Sequence, residues 1–370
     1  MHDHLLPLVF LVLLSCRSQT PPVRTTPTVP IASFPSDTLQ LAPAAATYID
    51  TVVRYMQGVA LHRDRIDFNA LRREARYYSQ GAATPAETYA GIERAMELLD
   101  DHHSSLLTPS VLTEYLGLGM EQIEEIRAGR IPHLESADLA GLDDRITFAS
   151  GSMEDGLAYL YVPSFERIYY EEMLRFADSL QVTIRQLDEQ SPHRWVIDLR
   201  DNDGGAELPM ILGLGPLLDR ENSYYGIDTR GKVRSHTFYR DGAYYNIDEG
   251  ESPRNAVPLL RATAPYTLRK PLMPIILLTS RKTASSAEAV VAIFKGQSNL
   301  LHIGEDTNGL TSVNSFEVLP DNAVLNITVA YMADRERRVY EQGIPADRPL
   351  DGLAEDIVQT IERLRKRVME

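Results

Sequence analysis

The sequence contains a single cysteine, Cys16, among its 370 residues, so an internal disulfide is excluded. Basic residues are also scarce, with 37 lysines and arginines against 52 aspartates and glutamates. The resulting net charge of −15 repels phosphate backbones and anionic membrane surfaces, and we therefore expect no nucleic-acid partner. Beyond the N-terminal region there is no apolar run of membrane-spanning length, so any membrane attachment has to be of another kind.

The N-terminal region has a short apolar run from Leu5 to Leu14. The run is too short for a transmembrane helix but is typical of the core of a signal peptide. Its end, Leu13-Leu14-Ser15-Cys16, resembles a bacterial lipobox, which predicts removal of residues 1–15 and lipidation of Cys16. The sequence thus favours an exported bacterial lipoprotein, periplasmic or at the cell surface. The first four residues lack the usual lysine or arginine, so an uncleaved apolar N-terminus is the alternative.

After the apolar N-terminus, the sequence predicts a tether, a helical domain, a connecting segment and a domain of mixed character. Residues 16–43 are rich in proline and threonine and lack apolar periodicity, which predicts a lipidated, extended tether. Residues 44–110 have apolar positions at helical spacing, which predicts a helical N-terminal domain. A connecting segment over 111–156 then leads to a domain of mixed character over 157–370. We expect an α/β architecture behind a helical N-terminal region.

The mixed part alternates strands and helices. Residues 157–162 predict a strand, residues 173–187 a helical face and residues 195–199 a buried strand. An Asp241-Gly242 pair between β-favouring runs predicts a β-hairpin insertion. The tyrosines of this insertion either line a substrate groove or form aromatic cross-strand pairs, and such pairs are the more common reason for tyrosines there.

Ser285 and Ser286 stand where an apolar strand, Pro274 to Leu278, gives way to an apolar-periodic helix. The first N–H groups of a helix lack intrahelical partners, and they can stabilise an oxyanion beside a serine nucleophile. The same residues also fit a capping box, in which Ser285 and Glu288 satisfy the helix terminus without any chemistry. The segment alone therefore leaves catalysis and capping open.

Gly204 and Gly205 end an acidic segment that follows the buried strand. A Gly-Gly turn lets backbone N–H groups approach a ligand closely, which makes this turn a candidate oxyanion hole. A calcium-binding EF-hand does not fit, because the ligand positions would fall on Leu199 and Met210. A simple turn with Asp198 paired to Arg200 is the alternative.

His102 and His103 form an adjacent pair near the end of the second helix of the N-terminal domain. One of them is a candidate general base, although the helix dipole alone stabilises a histidine at such a position. Neighbours on a helix diverge by about 100° and do not chelate together, so the pair does not predict a zinc site, and we expect no metal.

Three ordered segments resemble the S41 peptidases, the C-terminal-processing and tricorn-like serine proteases. They are Asp101 to Ser104, Asp198 to Gly205 (Asp-Leu-Arg-x-Asn-x-Gly-Gly) and 283–288 (Thr-Ala-Ser-Ser-Ala-Glu), and fainter echoes occur at 304–309 and 343–347. The resemblance covers roughly Tyr48 to Asp347. It implies a crotonase/ClpP-like spiral β-α core over 157–370, with the helical region before it and the β-hairpin as an insertion.

The resemblance also implies roles for individual residues. Ser285 corresponds to the nucleophile, with Ser286 as its one-residue alternative. The N–H groups of Ser286 and of Gly204 or Gly205 correspond to the oxyanion hole. Leu310 stands where many processing proteases have their lysine base, which excludes a Ser–Lys dyad at that place.

The tricorn-like branch uses histidine, and His103 matches its motif better than His102 does. The acid that orients the histidine in the tricorn-like branch corresponds to Glu341 here, although the spacing to Gly343 is one residue shorter than in the tricorn pattern. Asp334 is the competing acid. Lys295 lies ten residues after Ser285, about 15 Å along a helix, and is too distant to serve instead.

The function implied is a serine-type peptidase without a cofactor that hydrolyses polypeptides outside the cytoplasm. The roughly fifty residues between Ser105 and Leu157 leave no room for the complete PDZ domain of many processing proteases. The competing function is a non-catalytic lipoprotein that binds a ligand or peptide on the same fold. The oligomeric state, the natural substrate and the membrane of attachment are open at this point.

Overall fold

The computed structural model describes residues 40–139, 141–248 and 250–370. They form two compact units. The helical unit consists of residues 40–127 and Asn314–Val329, and the sheet unit consists of Ala128–Val313 and Ala330–Glu370. The expected signal peptide, Cys16 and nearly all of the expected tether lie outside the described residues, and their roles stay predictions.

The helical unit buries the apolar faces of its helices in one core. The helices are α1 (Pro43–Val59), α2 (Phe68–Tyr78), α3 (Tyr89–Glu97), α4 (Pro109–Leu116) and α5 (Met120–Arg127). The side chain of Asp67 caps α2 by accepting hydrogen bonds from the N–H groups of Asn69 and Ala70, each at 3.0 Å. The core also includes Leu325 and Ile327 of the returning segment. The helical character expected for the N-terminal region is thus confirmed.

The described residues contain thirteen strands. The strands are β1 (Ser105–Leu107), β2 (Ser150–Glu154), β3 (Leu157–Tyr161), β4 (Arg194–Asp198), β5 (Tyr224–Ile227), β6 (Val233–Arg240), β7 (Ala243–Asp248), β8 (Leu260–Arg261), β9 (Ile275–Thr279), β10 (Leu300–Gly304), β11 (Ser312–Val318), β12 (Val324–Ala333) and β13 (Val339–Tyr340). The helices of the sheet unit are α6 (Tyr170–Asp188), α7 (Glu207–Leu214), α8 (Ser286–Phe294) and α9 (Glu355–Met369).

A mainly parallel sheet forms the centre of the sheet unit, with strand order β10-β9-β4-β3-β2. Strands β3, β4, β9 and β10 are parallel, and β2 joins the edge antiparallel to β3. Strands β4 and β9 are buried almost throughout, as parallel strands covered on both faces have to be. The α/β fold class predicted from the sequence is confirmed. The structure also places the carboxyl ends of β4 and β9 side by side, which brings the motif at Asp198 to Gly205 next to the motif at 283–288.

The predicted hairpin is present in the sheet unit. Strands β6 and β7 are joined through Asp241 and Gly242, both with positive φ (50° and 76°), as a tight hairpin turn requires. Phe238 stacks on Tyr245 across the two strands with ring centroids 4.8 Å apart. The interpretation of the aromatic residues as cross-strand pairs is confirmed for this pair.

Two features differ from the linear division expected from the sequence. Helices α4 and α5 lie in the segment expected to connect two domains, and residues 314–329 return to the helical unit after the chain has built most of the sheet unit. His102 and His103 are not on a helix, because α3 ends at Glu97 and a turn separates them from it. The helix dipole therefore gives no account of this pair.

Candidate active site

Ser285 is the N-cap of α8, at the sharp turn between β9 and the helix. Its backbone has φ 54° and ψ −117°, a conformation that costs a residue with a side chain about 1–3 kcal/mol. The residue is only 1% exposed. A strained serine on a strand-to-helix turn is the arrangement that presents a nucleophile beside helix N–H groups.

The carboxylate of Glu288 holds this strained turn in place. It accepts a hydrogen bond from the Ser285 N–H at 2.8 Å, which is the glutamate half of the predicted capping box. It also accepts from the Thr307 hydroxyl at 2.5 Å and the Gly309 N–H at 2.9 Å. Burial raises the pKa of Glu288 to about 7, and the hydrogen bonds from Thr307, Gly309 and Ser285 oppose that shift. Sequence reasoning treated Glu288 only as a cap and missed its link to the 307–309 loop.

The Gly-Gly turn lies directly against the serine turn. A Cβ atom added to Gly204 would come 3.1 Å from both the Ala284 carbonyl oxygen and the Ser285 Cβ, closer than most Cβ contacts, so a side chain here would push the two turns apart. Gly205 pairs with Phe165, and a Cβ there would come 1.9 Å from the Phe165 carbonyl oxygen. Both glycines have positive φ, 121° and 103°.

The hydrogen bonds of this turn distinguish the two glycines as oxyanion donors. The Gly204 N–H already donates to the Asn202 side-chain oxygen at 3.0 Å. The N–H groups of Gly205 and Ser286, in contrast, have no hydrogen-bond partner among the described residues. Of the predicted set, the geometry therefore favours Gly205 and Ser286 as a pair of backbone donors.

Ser286 has a separate task for its side chain. Its hydroxyl donates to the Gly205 carbonyl oxygen at 2.5 Å, which ties the helix start to the Gly-Gly turn. The hydroxyl is thereby engaged in a buried hydrogen bond. Between the two serines, this geometry favours Ser285 as the nucleophile.

The Asp198 side chain shows that the acidic segment also has a structural role. Asp198 is fully buried and forms a salt bridge with Arg200 at 2.6 Å. It also accepts a hydrogen bond from the Tyr159 hydroxyl at 2.5 Å. The local Asp198–Arg200 pair considered for this turn is present, and it coexists with the Gly-Gly geometry. Among the described residues, no group of three or more histidine, cysteine or acidic side chains is placed to hold a metal ion.

His103 lies in the helical unit, just before β1, and is 2% exposed. Its carbonyl oxygen accepts hydrogen bonds from the side chains of Asn326 at 3.2 Å and Asn314 at 3.4 Å. Burial lowers its pKa to about 4, and the charge of Asp101 opposes that shift. The imidazole is therefore neutral at pH 7. His102 has φ 57° and a side chain 86% exposed, so the two neighbours have opposite environments.

The two candidate acids also differ. Asp334 is buried and accepts hydrogen bonds from the N–H groups of Glu336 at 2.9 Å and Arg338 at 3.0 Å, and from the Tyr340 hydroxyl at 2.6 Å. It anchors the β12–β13 hairpin. Glu341 is exposed and forms no hydrogen bond or ion pair within the described part of the chain.

Lys295 has a structural role away from any base position. Its amino group donates to the Pro345 carbonyl oxygen and to the Asp347 carboxylate, each at 3.0 Å. This engagement agrees with its exclusion as a substitute for the lysine that Leu310 replaces.

A family model provides the identification that this geometry suggests. The model described as peptidase family S41 matches residues 156–350, more than half of the chain. The chain belongs to peptidase family S41. The match includes the Gly-Gly turn and the serine turn of the sheet unit. It does not reach His103.

Curated relatives of this S41 chain are distant. The chain is 28% identical to the nisin-resistance protein of Lactococcus lactis subsp. lactis over 40% of its own length and 42% of that protein. It is 23% identical to a carboxyl-terminal-processing protease of Synechocystis sp. over 82% of its own length and 66% of that protein. The first relatives are thus spanned over less than two thirds of their length.

Solved structures share the fold. A lipoprotein from Streptococcus agalactiae has a TM-score of 0.60 at 19% identity, over 89% of this chain and 99% of that one. The photosystem II D1 C-terminal processing protease has a TM-score of 0.52 at 16% identity, over 82% of this chain and 92% of that one. None of the helices in the described part of the S41 chain combines the length and apolar character that spanning a membrane requires.

Proposed function

We propose that this S41 chain is a serine peptidase that hydrolyses polypeptides through an acyl-enzyme on Ser285. The observation that carries the proposal is the strained Ser285 N-cap with the Gly204–Gly205 turn packed against it, where the N–H groups of Gly205 and Ser286 have no hydrogen-bond partner among the described residues. Backbone donors that are fixed before the reaction stabilise the oxyanion without reorganising, and removal of one such donor typically costs about 10²–10³ in kcat.

The chemistry follows from these groups. The Ser285 Oγ attacks the scissile carbonyl carbon, its proton passes to the base, and the carbonyl oxygen becomes an oxyanion held by Gly205 and Ser286. The base returns the proton to the leaving amine, which departs and leaves an ester on Ser285. Water, deprotonated by the same base, then hydrolyses the ester and regenerates the serine.

His103 is the proposed base. The proposal is supported by its match to the tricorn-like motif, by the replacement of the family lysine with Leu310, and by its buried, neutral state within the helical unit. A neutral imidazole is the form that accepts a proton. His102, which is highly exposed, is the less suitable neighbour.

Glu341 is the proposed acid that orients the base, with Asp334 as the competitor. The support for Glu341 is that its carboxylate has no partner within the described residues, whereas Asp334 is already held by three donors of its own hairpin. Variants at the two positions, compared in activity and in stability, separate the two acids.

The proposed substrates are polypeptides outside the cytoplasm, and the proposed anchor is a lipid on Cys16. The names of the relatives support peptide substrates, and one structural neighbour is called a lipoprotein. Because one relative is named for nisin resistance, nisin is a suitable first polypeptide to incubate with the protein. Mass spectrometry of intact protein from bacterial membranes tests the lipid on Cys16.

Covalent labelling tests the enzyme directly. A fluorophosphonate reacts with activated serines, so we expect labelling of the wild type and none of Ser285→Ala. Ser286→Ala should remain labelled, at a rate reduced about tenfold because the Gly205 tie is lost. Absence of labelling across pH 6 to 9 would instead favour the non-catalytic lipoprotein that binds a ligand or peptide on this fold.

A further inference from the structure

A polar cleft of about 340 Å³ lies in the sheet unit, beyond the carboxyl ends of three neighbouring parallel strands. Arg200 and Asp201 follow β4, Arg281 and Lys282 follow β9, and Glu305 follows β10. Helix α9 contributes Arg365. In open α/β sheets, this edge of the sheet is where ligands bind.

The side chains that line the cleft are mostly basic, although the chain as a whole is acidic. Acidic residues outnumber basic ones in the whole sequence, yet four of the lining residues are lysine or arginine and only two are acidic. The only other lining residue is Ser280, so no apolar side chain contributes. Such a cleft is suited to an anionic group and not to an apolar ligand.

Two of the four cations are held in place by other parts of the protein. Arg200 is fixed by the buried Asp198 and also reaches Glu362 at 2.7 Å. Arg365 is paired with Asp201. Their guanidinium groups are already oriented and mostly shielded from solvent, and the paired carboxylates balance their charge, so the positive charge left for a ligand is that of Arg281 and Lys282.

The other two cations are available to a ligand. The side chains of Arg281 and Lys282 are 63% and 75% exposed, and their nearest carboxylates lie at 3.4 Å. Exposed ion pairs contribute only about 0–1 kcal/mol, so an incoming carboxylate can replace these contacts at little cost.

Hydrogen bonds join the two loops that line the cleft, and these same loops lead to the Gly-Gly turn and to Ser285. The Ser280 hydroxyl donates to the Arg200 carbonyl oxygen at 2.6 Å, and the Ala284 N–H donates to the Asn202 carbonyl oxygen at 3.2 Å. The two loops therefore run together from the cleft to the Gly-Gly turn. Lys282 is three residues before Ser285, which limits the distance between their Cα atoms to about 11 Å.

We propose that this cleft is a subsite that binds a carboxylate of the polypeptide substrate, three or four residues from the scissile bond. The inference rests on the proposed peptidase function and adds a preference for acidic substrates. Arg281 and Lys282 are the residues that contact the carboxylate. Its source is either an aspartate or glutamate side chain or the terminal carboxylate of the polypeptide.

Matched peptides test the preference. In one quenched fluorescent peptide that the protein cleaves, a single aspartate is moved through the five positions on each side of the scissile bond, and each version is paired with asparagine. We expect kcat/KM to be about three- to tenfold higher for aspartate at one or two positions. A second series with free and amidated C-termini distinguishes the terminal carboxylate from a side chain.

Two double variants assign the effect. Arg281→Gln/Lys282→Gln should remove the discrimination, whereas Arg220→Gln/Lys270→Gln, which removes two exposed positive charges elsewhere in the sheet unit, should preserve it. Equal cleavage of the aspartate, asparagine, free and amidated peptides would overturn the subsite, as would discrimination that survives in the cleft variant. The Trp195 fluorescence of each variant confirms folding.

Failure of the subsite and failure of the enzyme give different results. A protein that reacts with fluorophosphonate at Ser285 and cleaves peptides without discrimination retains the proposed function and lacks the subsite. A protein that does not react at Ser285 lacks the proposed function, and the subsite proposal falls with it. Anisotropy of the labelled peptides with Ser285→Ala adds a binding readout, in which the aspartate peptide should bind about three- to tenfold more tightly.

Discussion

At the scale of single residues, Ser285 shows how one position meets two demands. It is the N-cap residue of a helix. The Glu288 carboxylate, which also accepts a hydrogen bond from the Gly309 N–H, holds its backbone at a positive φ. The strain is localised at the proposed nucleophile. The hydrogen bonds to Glu288 keep this residue from adopting the unstrained backbone conformation of an ordinary N-cap. Capping and attack are therefore compatible at this serine.

The pH dependence of the reaction should reveal His103. Its pKa is lowered to about 4, so its basic form persists well below the usual range of histidine. We expect the acid limb of kcat/KM to lie near pH 4, whereas an exposed histidine would place it near 6.5. Rates of peptide cleavage or fluorophosphonate labelling from pH 3.5 to 8 measure it.

His102→Gln is the matched control for this profile, because it alters the exposed neighbour and leaves His103 in place. The limb should not move in that variant. Loss of activity in His102→Gln, with activity retained in His103→Gln, would show that the base had been assigned to the wrong neighbour.

The acids can be separated by comparing stability with activity. Asp334→Ala should lower the free energy of unfolding by about 3 kcal/mol, because it leaves three donors of a buried hairpin without their acceptor. Glu341→Gln should leave the free energy of unfolding unchanged and slow the fluorophosphonate labelling of Ser285 at least tenfold. Urea unfolding and labelling rates provide the two readouts.

Glu336→Gln serves as the control, since Glu336 is an exposed acid of the same hairpin. It should change neither readout. A stable but inactive Asp334→Asn protein would make Asp334 the orienting acid in place of Glu341.

At the scale of elements, local patterns were sufficient for the strands and helices that carry the site. Apolar runs located β4 and β9 to within one residue at each end and placed the start of α8 beside Ser285, because these elements are buried almost throughout. They could not choose between Gly204 and Gly205. That choice depends on the direction of the Asn202 side chain, which takes up one N–H and leaves the other.

Long-range packing was also beyond the sequence patterns. Residues 314–329 supply Leu325 and Ile327 to a core built mainly from residues more than 200 positions earlier. Alternating apolar residues predict a strand but not the unit in which it packs. The same limitation applies to Glu207, whose carboxylate accepts a hydrogen bond from the hydroxyl of Tyr224 at 2.6 Å inside the sheet unit.

The β6–β7 hairpin offers a test in which strain and steric overlap are separated. Gly242 has φ 76°, and a Cβ there would come 2.2 Å from the Pro265 ring. Gly231 also has φ 76°, but nothing lies within 4 Å of its Cβ position. We expect Gly231→Ala to cost about 1 kcal/mol and Gly242→Ala about 3 kcal/mol in unfolding free energy. Equal losses in urea unfolding would show that the Pro265 contact adds nothing.

At the scale of the whole molecule, the net charge decides at which ionic strength variants are compared, and a single tryptophan decides which unit fluorescence reports. The net charge of −15 makes long-range repulsion sensitive to salt, so comparisons between variants need one ionic strength. The only tryptophan, Trp195, lies fully buried on β4 in the sheet unit. Its fluorescence therefore reports that unit specifically.

Two buried groups of the sheet unit should give its stability opposing pH dependences. Burial lowers the pKa of His302 to about 3, so its contribution is present above pH 6.5 and is lost as the pH falls. The pKa of Glu288 is raised to about 7, so its contribution is present at low pH and is lost as the pH rises through 7. Between pH 7 and 5.5 each changes the free energy of unfolding by about 1 kcal/mol, in opposite directions.

Glu288→Gln removes the compensating group and should expose the effect of His302. From pH 7 to 5.5, we expect this variant to lose about 1 kcal/mol more unfolding free energy than the wild type does. Urea titrations followed by Trp195 fluorescence at four pH values measure the difference. Adding His302→Gln to Glu288→Gln should return the pH dependence to about that of the wild type, because the two opposing contributions are then both removed. Parallel pH slopes in the wild type and in Glu288→Gln would contradict a raised pKa at the residue that holds Ser285.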